Sequence, residues 1–155
     1  MKIITTTELS KPQKNTIIYL WNREYPVQLN LTTETFEEYL LASGNHLHYL
    51  MLDDAAEIIG WACTFDRDDD KWFSILINSL YHGLGLGKMM LHQLKENETR
   101  LNGWVIDHGN DLKKNGERYE SPMTFYLKND FHICPDDRFD NGKMSAVKIF
   151  WEGLK

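Results

Sequence analysis

Three glycines alternate with leucines between residues 82 and 88, and this short segment constrains the fold more than any other. The apolar run Trp72–Leu80 precedes it, and residues 87–97 follow it with the apolar period of an amphipathic helix. Glycine lets the backbone turn tightly and approach a ligand closely. The start of a helix offers free amide N–H groups and about half a positive charge. A strand, a glycine turn and a helix in this order therefore predict an anion site, most naturally for a phosphate or diphosphate.

Two common phosphate-binding motifs do not fit this segment. A Walker A loop requires glycine at the position of His82 and Ser or Thr at the position of Met89. The dinucleotide fingerprint requires a third glycine at the position of Lys88, and a parallel βαβ unit. The pattern that remains is Arg/Gln-x-x-Gly-x-Gly/Ala, which runs from His82 to Gly87 with histidine at its first position.

Hydropathy periods and turn signals predict helices and strands in the order βααβββαβαββ. This order predicts an α/β (α+β) fold, in which one domain over residues 1–155 has a mixed central sheet with helices on both faces. The predicted elements are a strand at 2–8, a helix capped by Ser10 with Pro12 in its first turn, a helix from Thr32 or Thr33 to Gly44, strands at His46–Asp53, Glu57–Phe65 and Trp72–Leu80, a helix at 87–97, a strand at Trp104–Ile106, a helix from Ser121–Pro122 to Asn129–Asp130, and strands at Phe131–Cys134 and Met144–Trp151.

The charge balance and the apolar content restrict the partners. With 17 basic and 23 acidic residues the net charge is -6, which argues against nucleic-acid binding and favours a cationic or amine-bearing partner. The longest uncharged stretch, Trp72–Gly87, contains Asn78, His82 and three glycines, so it does not predict a membrane span. The start of the sequence lacks the apolar core of a signal peptide, and the two cysteines provide no disulfide framework. We therefore expect a cytoplasmic protein without a membrane partner.

The pattern from His82 to Gly87 resembles the coenzyme A loop of the GNAT superfamily of acyl-CoA-dependent N-acyltransferases. In that family the loop between the fourth strand and the third helix holds the pyrophosphate of coenzyme A through backbone amides. The resemblance implies acetyl-CoA as co-substrate and a GNAT-like, mostly antiparallel sheet. It also implies a cofactor site at His82, Gly83, Leu84, Gly85, Leu86, Gly87 and Lys88.

Further segments carry the same resemblance. Ile58–Ala62 is similar to the third strand of the family, and Ile75–Ile77 to the fourth, whose backbone meets the pantetheine arm and the thioester carbonyl. Backbone groups of Ile75 and Ile77 are therefore expected in the cofactor site, with the Ile77 N–H polarising that carbonyl. Phe125–Phe131 resembles the family motif Tyr-x-Lys-x-Gly-Phe, with Asp130 in place of glycine. Aspartate and asparagine tolerate the left-handed backbone that a glycine would adopt there.

Acetyl transfer from a thioester to an amine requires two proton movements, because the amine must be neutral and the leaving thiolate must be protonated. The resemblance implies that Tyr126 is the general acid, and a phenol with a pKa of about 10 still carries its proton at neutral pH. His108 follows the predicted strand Trp104–Ile106, where this fold would place the acceptor cleft. An imidazole with a pKa of about 6.5 is suited to accept the proton of the amine. Tyr119 and Glu120 are alternative bases, and no spacing decides among the three.

The sequence thus predicts an acetyl-CoA-dependent N-acetyltransferase whose acceptor is a primary amine of a small molecule or peptide. We expect direct attack in a ternary complex, because no activated Cys or Ser is evident in the sequence. A non-catalytic acyl-CoA-binding or sensing module and a transferase for longer acyl chains remain alternatives. No metal is expected, since His46 and His48 lack a third ligand at a recognisable spacing. A homodimer through a strand edge near Trp151 stays open.

Overall fold

The computed structural model describes residues 1–153, and within them seven strands form one mixed sheet flanked by four helices. The strands are β1 (Lys2–Thr6), β2 (Gly44–Leu52), β3 (Ile58–Arg67), β4 (Asp70–Ile77), β5 (Arg100–Ile106), β6 (His132–Asp140) and β7 (Ser145–Glu152). The helices are α1 (Lys11–Glu24), α2 (Thr33–Leu41), α3 (Leu86–Asn97) and α4 (Met123–Lys128). The predicted order βααβββαβαββ is confirmed.

Side-chain caps determine where the first two helices begin. The Ser10 side chain accepts the Gln13 N–H and the Gln13 side chain accepts the Ser10 N–H, which forms a capping box at the start of α1. Thr32 and Thr35 form the same reciprocal pair at the start of α2. The prediction that α2 stops at Gly44 is wrong. The helix ends at Leu41, Gly44 already belongs to β2, and the left-handed backbone falls on Asn45 with φ 53°.

The sheet opens between its two parallel strands. The spatial order is β1-β2-β3-β4-β5-β7-β6, and every neighbouring pair is antiparallel except β4 and β5. These two strands are in register only at Trp72 opposite Asn102, near the start of each. In the described chain their remaining lengths, 73–77 and 103–106, form no ladder with each other. An opening therefore lies between the C-terminal halves of β4 and β5.

Two apolar layers fix the helices on opposite faces of the sheet, as predicted. Alternation along β2 directs Tyr49 and Met51 to one face and Leu50 and Leu52 to the other. The first face packs against α3 and α4, and the second against α1 and α2. None of the helices within residues 1–153 has the length and apolar composition of a membrane span.

The largest differences from the predicted strand bounds are in β4, β5 and β6. Strand β4 ends at Ile77, and Ser79–Tyr81 form a 3-10 turn instead of its last residues. Strand β5 begins at Arg100, four residues before the predicted start. Strand β6 continues to Asp140, although the sequence predicted only Phe131–Cys134. This strand lies at the edge of the sheet, almost all of it is exposed and a bulge interrupts its register, so no apolar alternation marks its second half.

Candidate active site

The glycines of the loop before α3 serve two different purposes. Gly83 and Gly85 have φ angles of 81° and 77°, in the left-handed region that side chains disfavour. Gly87 has no such angle, but a Cβ there would lie 3.2 Å from the Phe125 ring of α4. Two glycines therefore shape the turn, and the third allows α3 to approach α4 closely.

The first turn of α3 presents backbone amides that the helix does not use. Gly85 is the N-cap residue and no side chain caps the helix. The Met89 N–H donates to the Gly85 carbonyl at 3.1 Å, so the amides of Leu86, Gly87 and Lys88 precede the first intrahelical bond. Together with the turn at Gly83 and Gly85, these amides form a concentrated set of N–H donors at the positive end of a helix. This arrangement fits a diphosphate group.

Side chains hold this loop from two sides. His82 uses its Nε2–H to bond the Ile77 carbonyl at 2.9 Å, and its backbone N–H donates to the Ser79 carbonyl at 3.1 Å. On the other side, the Ser79 N–H donates to the Glu24 carboxylate at 2.9 Å. His82 thus braces the loop against the end of β4, and its predicted contact with the cofactor stays a prediction. Glu24, a buried acid at the end of α1, was missed by the sequence analysis.

One edge of β4 faces the opening in the sheet. The Asn78 N–H donates to the Ile59 carbonyl, and the alternation of antiparallel bonds turns the backbone of Ile75 and Ile77 toward β5 instead. The Ile75 carbonyl accepts a bond from the Tyr25 hydroxyl at 3.1 Å, which agrees with that orientation. The structure therefore brings the predicted backbone groups of β4 beside the glycine loop.

Tyr126 is held firmly in α4. Its side chain is 7% exposed and lies edge-on to Phe73 and Phe131, with ring centroids 5.8 and 5.4 Å away. Its carbonyl accepts the N–H groups of both Asn129 and Phe131. Asp130 has φ 70°, so it adopts the conformation expected of the glycine that it replaces. The motif is therefore structurally intact despite the substitution.

Three phenols, those of Tyr25, Tyr119 and Tyr126, gather beside this opening. The rings of Tyr25 and Tyr119 are 6.3 Å apart. Burial raises the pKa of Tyr119 to about 12, and it raises the pKa values of Tyr25 and Tyr126 well above 10. All three hydroxyls therefore keep their protons at neutral pH and can donate hydrogen bonds.

The loop between β5 and α4 is ordered, which the sequence analysis did not predict. Leu112 and Arg118 form an isolated antiparallel β-bridge, and the Lys113 N–H donates to the Glu117 carbonyl at 2.8 Å. The Val27 N–H donates to the Leu112 carbonyl at 2.9 Å, so the loop is tied to the segment after α1. The pair Asn115–Gly116, with Gly116 at φ 85°, is the turn signal that could have revealed it.

His108 and its neighbours begin this loop. The Asn110 N–H donates to His108 Nδ1 at 3.1 Å, so the neutral ring carries its proton on Nε2. That Nε2 lies 3.8 Å from Asp111 Oδ2. Asp107 turns away and forms a two-point ion pair with Arg138, which lowers the pKa of its carboxyl group. Among residues 1–153, no group of three or more His, Cys, Asp or Glu side chains is arranged to hold a metal ion.

Solved structures share this architecture over nearly the whole chain. An acetyl-CoA complex of a GNAT phosphinothricin acetyltransferase from Sinorhizobium meliloti has a TM-score of 0.66 and 16% identity, with 99% of this chain and 90% of that chain covered. A GNAT acetyltransferase from Staphylococcus aureus has a TM-score of 0.64 and 17% identity, with 97% and 99% covered. Mutant forms of the spermidine/spermine N-acetyltransferase of Vibrio cholerae have a TM-score of 0.63 and 15% identity, with 97% and 95% covered. At these identities the likeness concerns the fold.

Family membership comes from the sequence itself. No curated protein sequence matches the chain. The sequence model of the Acetyltransferase (GNAT) family, however, matches residues 14–103, which is more than half of the chain. This match begins within α1, includes β4 and the glycine loop, and ends within β5. The chain therefore belongs to the GNAT family of acetyltransferases, and acetyl-CoA is its acetyl donor.

Proposed function

We propose that this enzyme acetylates a primary amine of a small molecule or peptide, and that the amine attacks directly while both substrates are bound. The observation that carries the proposal is a convergence: the glycine loop, the free edge of β4 and the three phenols border one opening in the sheet. A donor and an acceptor bound together in this opening can react directly, so no acetylated enzyme intermediate is needed to carry the acetyl group between separate sites.

The backbone amides of residues 83–88 are proposed to bind the diphosphate of the donor. The backbone groups of Ile75 and Ile77 are proposed to meet its pantetheine arm, and the Ile77 N–H to polarise its carbonyl. Acetyl-CoA supplies the activated acetyl thioester. His82 contributes by fixing the position of the loop relative to the Ile77 carbonyl at the end of β4.

Tyr126 is proposed as the acid that protonates the leaving thiolate. Its raised pKa supports the role, since the hydroxyl stays protonated over the whole neutral range. Tight packing against Phe73 and Phe131 further supports it, because a general acid must be held in one position.

Direct attack is supported by the state of the two cysteines. Cys63 is fully buried, and burial raises the pKa of its thiol to about 12, so it supplies no thiolate at neutral pH. Cys134 lies on β6, the strand at the sheet edge beyond β7. For the proton of the attacking amine we propose His108. The unprotonated nitrogen of the neutral ring is Nδ1, so the ring accepts that proton there once the hydrogen bond from the Asn110 N–H has broken.

Release of free coenzyme A, measured with a thiol reagent against a panel of amines, tests the proposal. The panel includes spermidine and phosphinothricin, because two similar structures are named for enzymes of these compounds. We expect thiol release with at least one amine, and an N-acetylated product of the corresponding mass. Binding of acetyl-CoA without turnover of any amine would favour the binding module instead. Competition by longer acyl-CoA thioesters measures the acyl-chain preference.

A further inference from the structure

The free edge of β4 turns two carbonyl groups and two N–H groups toward the opening, and side chains of the protein bond the carbonyls alone. The Tyr25 hydroxyl donates to the Ile75 carbonyl at 3.1 Å, and the His82 Nε2–H donates to the Ile77 carbonyl at 2.9 Å. Within residues 1–153, no side chain is bonded to the N–H of Ile75 or Ile77, and β4 forms no ladder with β5 there. The edge therefore presents free donors beside occupied acceptors.

The order of these groups places one N–H between the two occupied carbonyls. In an extended strand the N–H and the C=O of one residue point to the same side. The groups along this edge are therefore Ile75 N–H, Ile75 C=O, Ile77 N–H and Ile77 C=O, in that order. An ordinary free edge offers a row of unpaired donors and acceptors. This edge differs, because the Ile77 N–H has a carbonyl on each side that already accepts a hydrogen bond.

Hydrogen bonds to these two carbonyls change what the Ile77 N–H can bind. A ligand carbonyl oxygen at that N–H would lie beside two further oxygens with negative partial charge, which repel it. A donor on each of those oxygens places positive charge nearby and reduces the repulsion. The repulsion matters most when the amine nitrogen has bonded to the carbonyl carbon, because the π electron pair has then moved onto the ligand oxygen. It decreases again when the carbon–sulfur bond breaks and an electron pair leaves with sulfur.

Both donors are held in place by the protein itself. Burial raises the pKa of the Tyr25 phenol well above its ordinary value, so the hydroxyl keeps its proton at neutral pH. Its ring lies edge-on to Trp21, with centroids 4.7 Å apart. The His82 backbone N–H donates to the Ser79 carbonyl, and its ring carries a proton on Nε2 because the Ile77 carbonyl can only accept. Donors that are fixed in this way need no rearrangement when charge develops on the ligand.

We propose that Tyr25 and His82 are positioning residues for the thioester carbonyl of acetyl-CoA, which they favour at the Ile77 N–H by bonding the carbonyls on both sides of it. This inference rests on the proposed function, since it concerns the carbonyl that the Ile77 N–H is proposed to polarise. Neither side chain needs to touch the reacting atoms, because both act through the backbone of β4. Their removal should weaken the polarisation of the thioester and spare the binding of free coenzyme A, which lacks that carbonyl.

Infrared spectroscopy of acetyl-CoA labelled with carbon-13 at the thioester carbonyl measures this polarisation in the binary complex, without an acceptor amine. We expect the carbonyl band of the bound thioester to lie at lower wavenumber than in solution, and to return toward the solution value in Tyr25→Phe. Calorimetry should show that Tyr25→Phe weakens binding of acetyl-CoA by about 3- to 10-fold, the range of one neutral hydrogen bond, with the Kd of free coenzyme A unchanged.

Tyr39→Phe is the matched control for Tyr25→Phe. The Tyr39 hydroxyl also bonds β4, but its partner is the Ser74 hydroxyl at 2.7 Å and not a backbone group of the free edge. We expect this variant to leave the infrared band in place and to bind acetyl-CoA like the native protein. At the other carbonyl, His82→Leu should shift the band in the same direction as Tyr25→Phe. His82→Gln keeps an N–H donor and should restore the native band.

The other outcomes overturn the inference. An equal loss of affinity for acetyl-CoA and coenzyme A in Tyr25→Phe, with the band unmoved, would mean that the hydroxyl merely holds β4 in place. A gain in affinity for coenzyme A would mean that Tyr25 obstructs the ligand. A band that His82→Gln does not restore would remove His82 from the proposal. None of these measurements requires turnover of an amine. Failure of the proposed function in the thiol assay is therefore recognised separately from failure of this inference.

Discussion

The two halves of the active site are built in different ways. The cofactor half is one continuous stretch, in which two left-handed glycines and the uncapped start of α3 present backbone amides. The proposed acceptor half combines side chains from three separate parts of the chain: Tyr25 after α1, Tyr119 in the loop after β5, and Tyr126 in α4.

This difference has a chemical reason. A diphosphate is the same in every donor, and backbone amides in a fixed turn recognise it without any particular side chain. Acceptors differ in length, charge and shape, so their recognition depends on side chains that can change while the turn is kept. We therefore expect the cofactor half to be sensitive to changes of backbone conformation and tolerant of side-chain replacement. For the acceptor half we expect the reverse.

Tyr126→Phe should give the largest effect, because it removes one functional group from the acceptor half. We expect kcat to fall by about 10²–10⁴-fold with the acetyl-CoA Kd nearly unchanged, as for the loss of a general acid. Steady-state kinetics and calorimetry measure the two quantities. Tyr19→Phe, at an exposed tyrosine of α1, is the control. An unchanged kcat in Tyr126→Phe would remove Tyr126 from the mechanism.

Gly85→Val should give the next largest effect, because it alters the backbone conformation of the cofactor half. A Cβ at this position meets no protein atom within 4 Å, so the damage comes from φ 77°, which a β-branched residue does not adopt without strain. We expect acetyl-CoA affinity to fall by about 100-fold or more, with far-UV circular dichroism preserved. Gly142→Val is a matched control, since φ is 84° there and its Cβ is equally free. Equal loss of affinity in both variants would contradict the role of the loop.

Structural features that depend on the local sequence alone were predictable. The glycine turn, the N-cap at Ser10 and the left-handed backbone at Asp130 each follow from the residue types at those positions. Contacts between distant segments were not predictable. Nothing near Glu24 in the sequence indicates that it accepts the Ser79 amide, and nothing near Tyr25 indicates a bond to Ile75.

Long exposed segments were also missed. The second half of β6 has no buried face to produce an apolar period. The ordered loop after β5 is held by backbone bonds to the segment following α1, which no local pattern records. The acceptor half was accordingly the less predictable part of the site, because it depends on these tertiary contacts.

Lys88→Met should have a small effect, because it changes a side chain in the cofactor half, where backbone amides are proposed to bind the diphosphate. The Lys88 amide remains at the start of α3, and an exposed charge contributes up to about 1 kcal/mol to binding. We expect the acetyl-CoA Kd to rise by at most about fivefold in calorimetry at physiological salt. A rise as large as that of Gly85→Val would show that the side chain, and not the backbone, binds the diphosphate.

Gly87→Ala should have the smallest effect and reports on the contact between the two halves. The new methyl group would lie 3.2 Å from the Phe125 ring, so that ring must shift by a few tenths of an ångström. Phe125 precedes Tyr126 in α4, and we expect kcat to change by about twofold with little change in Kd. Rapid-quench measurements of the chemical step resolve such a change. A loss of affinity without a change in kcat would show that the shift stays within the cofactor half.

The end of α1 and the residues after it anchor both proposed halves of the site. Within four positions, Glu24 holds the turn at Ser79, Tyr25 holds the β4 edge, and Val27 holds the loop at Leu112. The length of this segment is therefore fixed by three attachments at once. We expect an insertion or deletion here to displace the turn at Ser79, the β4 edge and the loop after β5 together, whereas a longer loop after β5 would leave the attachments of Glu24 and Tyr25 in place.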